Sequence, residues 1–150
     1  MELVKALGLD IGKKRIGVAG CDRLGLLAFR ITTIYRKSWL ADMTALQKII
    51  AEREIDTLVV GMPYNMDGTI GEQAYRIEKY AHRVADYLQM KLEFVDERLT
   101  SFSAESMLRE MGYKLKDNKA LIDQQSAVII LQQWLDQKRH LYSNSKALED

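Results

Sequence analysis

Four acidic residues stand where a charge is hard to accommodate. Asp10 follows the apolar run 4–9 and precedes Gly12 by two positions, so it belongs at the end of a buried strand. An unpaired carboxylate is costly there. Asp96 and Glu97 close a second apolar run, 92–95. Adjacent residues of an extended chain point to opposite faces, so only one of this pair can face Asp10. Asp123 lies one helical turn before Ala127, on a stripe shared with Ile130, Leu131 and Trp134. Each acid has a plain structural explanation when taken alone. Asp10 could be a turn aspartate, and the 96–97 pair a solvated strand end. Asp123 could be a partner for the positive end of a helix, worth a few tenths to about 1 kcal/mol. Together they suggest chemistry. Clustered carboxylates repel and raise one another's pKa unless a cation neutralises them. A hard, oxygen-seeking ion such as Mg²⁺ or Mn²⁺ removes the conflict. Two such ions about 3.5–4 Å apart can clamp a phosphodiester, activate water and stabilise the leaving oxygen. Gly12 would let backbone approach a phosphate, and Lys13, Lys14 and Arg15 could hold neighbouring phosphates.

The elements that must position these acids follow from periodicity. Residues 4–11, 15–21 and 26–35 read as three strands with short connections, hence an antiparallel meander. The period then changes, and Leu40, Met43, Leu46, Ile49 and Ile50 fall on one helical face. Residues 57–61 form a short buried strand. A loop over 62–68 follows, with the chain's one proline, Pro63, and the turn pair Asp67-Gly68. This loop could be a lid with Asn65 touching phosphate or base, or an ordinary connection. Thr69 and Glu72 match a capping box, opening a helix with Ile70, Ala74, Ile77, Ala81, Val84 and Leu88 inward. Residues 92–95 are a fifth strand. Thr100 or Ser101 can cap a helix containing Ala104, Met107, Leu108 and Met111, stopped at Gly112. Residues 119–135 are the last helix, and the polar stretch 143–150 reads as a frayed tail beyond a single domain, 1–142. The expected fold is α/β: a mixed five-stranded sheet, three antiparallel strands and then parallel ones, with helices on both faces. Ligands of such sheets bind at the carboxyl ends of strands. Asp10 and the 96–97 pair share that edge, and Arg98 is a candidate partner for the outward acid and for substrate.

Composition narrows the class. With 150 residues, 47% hydrophobic and 29% charged, the chain suits one ordinary globular domain. No apolar stretch is long enough for a bilayer, and no secretory leader precedes the first strand. One cysteine, Cys21, excludes an internal disulfide and suggests a reducing, cytoplasmic setting. It reads as a packing residue. A formal net charge of +1 does not favour a dedicated basic nucleic-acid binder. Three local basic clusters could still form a stripe: 13–15, then Lys114, Lys116 and Lys119, then 138–140. His82 and His140 have no second histidine or cysteine beside them for a zinc set. Trp39 and Trp134 read as packing anchors.

Four motifs, in order, resemble those of the YqgF/RuvX family: GLDIGKKRIGVA, VVGMPYNMDGTIGEQA, FVDERLTS and LIDQQSAVIILQQWLD. The first alone is weak. The four together cover nearly the whole chain, about residues 7–135. The resemblance implies a ribonuclease-H-like fold, kinship with RuvC Holliday junction resolvases and nuclease activity on pre-16S rRNA. It carries an acidic triad to Asp10, Glu97 and Asp123, favouring Glu97 over Asp96 as the inward acid. Arg15 matches the motif arginine, with a substrate or structural role. The expected partner is nucleic acid, structured RNA or branched DNA, acted on with Mg²⁺ or Mn²⁺ by a monomer or homodimer. A symmetric four-way junction would need two active sites. Two competing readings remain open. The D-x-G turn also resembles the phosphate loop of the sugar kinase and actin superfamily, which needs two such domains. A non-catalytic factor in ribosome assembly or transcription would suit the modest charge.

Overall fold

A computed structural model describes residues 2–98 and 100–149; of residues 100–102 and 142–149 it describes the backbone alone. Strands β1 (Ala6–Ile11), β2 (Arg15–Cys21) and β3 (Ala28–Tyr35) precede helix α1 (Trp39–Arg53). Strand β4 (Thr57–Met62), helix α2 (Glu72–Leu88) and strand β5 (Lys91–Asp96) follow. Helix α3 (Thr100–Glu110), a 3₁₀ turn (Leu115–Asp117) and helix α4 (Lys119–Glu149) complete the chain. The sheet order is β3-β2-β1-β4-β5. β1 pairs antiparallel with β2, and β2 with β3, while β4 runs parallel to both β1 and β5. Parallel strands need long crossovers, and α1 and α2 supply them. The mixed five-stranded sheet expected from the sequence is the one observed.

Strand alternation divides the core in two. Leu7, Leu9, Ile16, Val18, Leu58, Val60 and Met62 pack with α1 and α2 residues such as Met43, Leu46, Ile77 and Val84. Ala6, Ala19, Val59 and Val95 pack on the opposite side with Ala127, Ile130, Leu131 and Trp134 of α4. Helices therefore cover both faces.

Several local expectations are corrected. Leu40 is exposed, and Asp42 is buried in its place. Ser38 caps α1 through a hydrogen bond from the Ala41 amide, and Asp42 reaches back to accept from the amide of Lys37, the residue before the cap. The Thr69–Glu72 capping box does not form. Thr69 bonds to Asp67 instead, α2 starts at Glu72 behind Gly71, and Ile70 stays outside the helix and exposed. In α3, Ala104 and Leu108 are buried as expected, but Met107 and Met111 are exposed. Gly112, at φ 91°, takes the left-handed position that ends the helix. The proposed caps Thr100 and Ser101 lie outside the residues with described side chains. Helix α4 continues unbroken through residue 143 to Glu149, where a frayed tail was expected.

Candidate active site

The site is built from one carboxylate flanked by two glycines. Asp10 on β1 pairs with Gly17 on β2. On the other side Leu9 pairs with Val60, so Gly61 of β4 is one step along, beside Asp10. Neither neighbour has a side chain on the α4 face, and two elements fill the space. A Cβ at Gly17 would collide with the Asp123 carbonyl, so the first turns of α4 rest on the β2 backbone. A Cβ at Gly61 would strike the Ile130 side chain and come within 2.8 Å of the Glu97 carboxyl carbon. Gly8, two residues before Asp10, makes the same kind of room, since a Cβ there would lie 2.7 Å from Leu131 Cβ. Thus Asp123 arrives over β2 and Glu97 over β4, with Asp10 between them on β1.

The electrostatics agree with this convergence. Burial, and then the charge of Asp123, raises the Asp10 pKa to about 7, with Arg15 pulling the other way. Burial raises Glu97 to about 8, with the charge of Asp10 second and that of Asp96 third. Glu97 is only 9% exposed, so it is the inward member of the 96–97 pair. Asp96 turns outward, where the Arg98 guanidinium holds its carboxyl below the usual range. Asp123 is engaged by Arg15, whose Nε lies 2.5 Å from Oδ2.

Three carboxylates, two of them with pKa values raised by burial and by a neighbouring acid, are a donor set whose chemistry fits a hard divalent cation. Asp10 and Glu97 would hold it, and Asp123 would join on leaving Arg15. Among the described residues, no group of three acidic, histidine or cysteine side chains is arranged to hold an ion.

The other candidates divide into two groups. Gly12 and Arg15 close the β1–β2 turn through an amide-to-carbonyl bond of 2.8 Å, with Lys13 exposed at its tip. Arg36, which the sequence reading passed over, donates to the Gly12 carbonyl at 2.6 Å and ties β3 to that turn. Asn65 and Arg98 belong to the neighbouring loop. Asn65 Nδ2 donates to Thr69 Oγ1, and Arg98 Nη1 donates to the Met66 carbonyl at 3.0 Å. Both shape the loop in this arrangement. Arg98 also borders a cleft of about 400 Å³ with Met66, Glu97, Ser103, Ile129 and Gln133. Gln133 escaped the sequence reading as well; it donates to the Asp96 carbonyl. A hollow of about 670 Å³, lined by Leu3, Leu24, Trp134 and Lys138 among others, does not include Asp10, Asp96, Glu97 or Asp123. Among the described residues, no helix is long and apolar enough to cross a membrane.

A family model described as RuvX, Holliday junction resolvase, matches residues 4–137. A protein of Gloeothece citriformis named "Putative pre-16S rRNA nuclease" is 54% identical over 140 residues, 93% of each chain. One of the same name from Trichormus variabilis is 51% identical over 146 residues, 97% of each. Among solved structures, Thermus thermophilus RuvC in complex with a Holliday junction superposes with a TM-score of 0.54 at 11% identity, covering 90% of this chain and 95% of that one. Fowlpox virus resolvase with its junction DNA gives 0.53 at 10% identity, covering 88% and 97%. At such identities the likeness establishes the fold, which is ribonuclease-H-like.

Proposed function

Since the chain belongs to the RuvX family, we propose that it is a metal-dependent endonuclease, a hydrolase of phosphodiester bonds. Its substrate is a 16S rRNA precursor, cut at the 5′ end; relatives at about half identity over nearly their whole length carry the name pre-16S rRNA nuclease. A four-way DNA junction is the second substrate of the same class, favoured by the family description, and its symmetry would call for a homodimer rather than a monomer. One domain, residues 1–142 with 143–150 as an extension, does this work in the cytoplasm. The observation that carries the reading is the approach of Glu97 and Asp123 to Asp10 from either side.

Asp10 and Glu97 would supply oxygen ligands, and Asp123 would complete the set. A bound Mg²⁺ or Mn²⁺ would polarise the scissile phosphate and generate the attacking hydroxide. The chain's own residues do the remainder. Burial of Glu97 removes competing water from the ligands, which strengthens each electrostatic contact. Arg15, freed from Asp123, faces the substrate edge as a bidentate donor for phosphate. The tight Gly12 turn lets backbone approach the strand, and Lys13 adds charge. Asn65 and Arg98 line the loop beside the cleft and meet the nucleic acid on the β5 side.

The test is cleavage of precursor rRNA and of a four-way junction with Mg²⁺, comparing wild type with Asp10→Asn. Loss of a metal ligand should cost several kcal/mol of transition-state stabilisation, or about a thousandfold in rate. Equal cleavage by both proteins sinks the assignment. Binding without cleavage in the wild type would favour the non-catalytic factor.

A further inference from the structure

Ser126 lies in the LIDQQSAVIILQQWLD motif, three residues after Asp123. Its side chain is 1% exposed, and its hydroxyl has no hydrogen-bond partner among the described residues. Buried hydroxyls are almost always bonded, so an unmatched one needs a reason. Arg30 and Tyr80 also carry an unmatched buried atom, but neither residue is fully buried.

The position of Ser126 supplies the reason. It follows Asp123 by three residues and precedes Ile130 by four, on one stripe of α4. The Asp123 carbonyl rests over Gly17, and the Ile130 side chain rests over Gly61. These two glycines flank Asp10. The stretch of α4 carrying Ser126 therefore passes above Asp10, between the arrivals of Asp123 and Glu97. A serine hydroxyl offers one donor and two acceptor sites, and here none of the three has a partner among the described residues. Small divalent ions keep several of their waters when bound by few carboxylates.

We propose that Ser126 is a positioning residue whose hydroxyl accepts a hydrogen bond from a water of the cation's hydration shell. This rests on the metal-dependent reading above. The hydroxyl orients the shell, and so the ion, relative to Asp10 and Glu97. Such supporting groups change metal affinity by about 10- to 100-fold when removed.

The experiment is calorimetric titration of Mn²⁺ into wild type, Ser126→Ala and Ser126→Cys, with thermal melting of each protein free of ions. Ser126→Ala should bind Mn²⁺ about tenfold more weakly. Its ion-free melting temperature should be unchanged or higher, because an unmatched buried hydroxyl has been removed. Ser126→Cys should lose affinity as alanine does, the thiol being a weak hydrogen-bonding group. A merely structural serine gives a different pattern: undiminished Mn²⁺ affinity, or lower affinity with an equally lowered melting temperature. Either result overturns the inference. A wild-type protein that takes up no Mn²⁺ overturns the nuclease reading with it. Normal uptake by wild type and by Ser126→Ala alike overturns this inference alone.

Discussion

The two faces of the central sheet are packed by opposite means. Toward α1 and α2 the strands present large aliphatic side chains, among them Leu7, Leu9, Ile16, Leu58 and Met62, all essentially buried. Toward α4 the same strands present Ala6, Gly8, Gly17, Ala19 and Gly61. The first face maximises buried apolar area, which is the main stabilising contribution. The second gives up area for closeness, at about 0.5–1 kcal/mol for each glycine within a strand. Its return is geometric. Only a helix backbone lying on the sheet can bring Asp123 up to Asp10, and only an empty position at Gly61 leaves room for Glu97. One face therefore holds the fold together, and the other holds the proposed site.

The largest effects test this division directly. Gly17→Ala must drive α4 away from β2, because the added carbon meets backbone, which cannot rotate aside. Overpacking of this kind costs about 1–3 kcal/mol and sometimes more. Leu9→Ala opens a cavity in the other face and costs about 2–5 kcal/mol. By stability alone the two variants should look alike. In Mn²⁺ titration they should part, with binding lost in Gly17→Ala and kept in Leu9→Ala. Loss in both, or retention in both, would mean that the faces are not specialised as argued.

A smaller effect appears in the pH dependence of the ion-free protein. Asp10 and Glu97 are raised to about 7 and about 8 from ordinary values of 3.8 and 4.5. The folded state therefore binds more protons than the unfolded chain between roughly pH 4 and pH 8. Stability should be full below pH 4 with respect to these groups and should fall as pH rises through 7 and 8. For Asp10 the upper bound on that loss is about 4 kcal/mol. Asp10→Asn should flatten much of the decline, both by removing one titration and by relieving Glu97 of its charged neighbour. Denaturation midpoints measured at pH 5 and pH 8.5 check this. A wild-type protein equally stable at both values would remove the electrostatic argument for a cation.

Much of this architecture is legible in the amino-acid order. The three-strand meander, both crossovers and the inward stripe of α4 come from apolar spacing, which survives tertiary context because burial enforces it. The acids are legible for the converse reason: Asp10 and Asp123 break apolar patterns that otherwise continue. The choice of Glu97 over Asp96 is not readable from spacing. It depends on Gly61 leaving room on one face and on Arg98 taking Asp96 on the other. The glycines within strands were the unread signal, since a glycine inside an apolar run marks close approach by another backbone. The capping box failed through competition at short range. Asp67 offered Thr69 a nearer partner than the helix could. Leu40 failed because Ser38 fixes the phase of α1, bringing Asp42 inward in its place.

The smallest expected effect concerns the end of β5, where neighbouring acids serve the two regions differently. Glu97 faces the site, while Asp96 and Arg98 form an exposed pair that also reaches the Met66 carbonyl. Exposed pairs contribute little to stability, so Arg98→Ala and Asp96→Asn should melt close to wild type. Nucleic-acid binding separates two roles for Arg98. If it only clamps the loop, both substitutions should loosen that loop alike and change affinity in the same direction. If its guanidinium also meets phosphate, Arg98→Ala should weaken binding. Asp96→Asn, which frees the same guanidinium from its counter-ion, should then strengthen it, and the salt dependence of binding should become shallower only in Arg98→Ala. Opposite signs would make Arg98 a substrate contact held in reserve by Asp96. Equal signs would confine it to the loop and leave recognition to the Gly12 turn, Lys13 and Arg15 across the sheet.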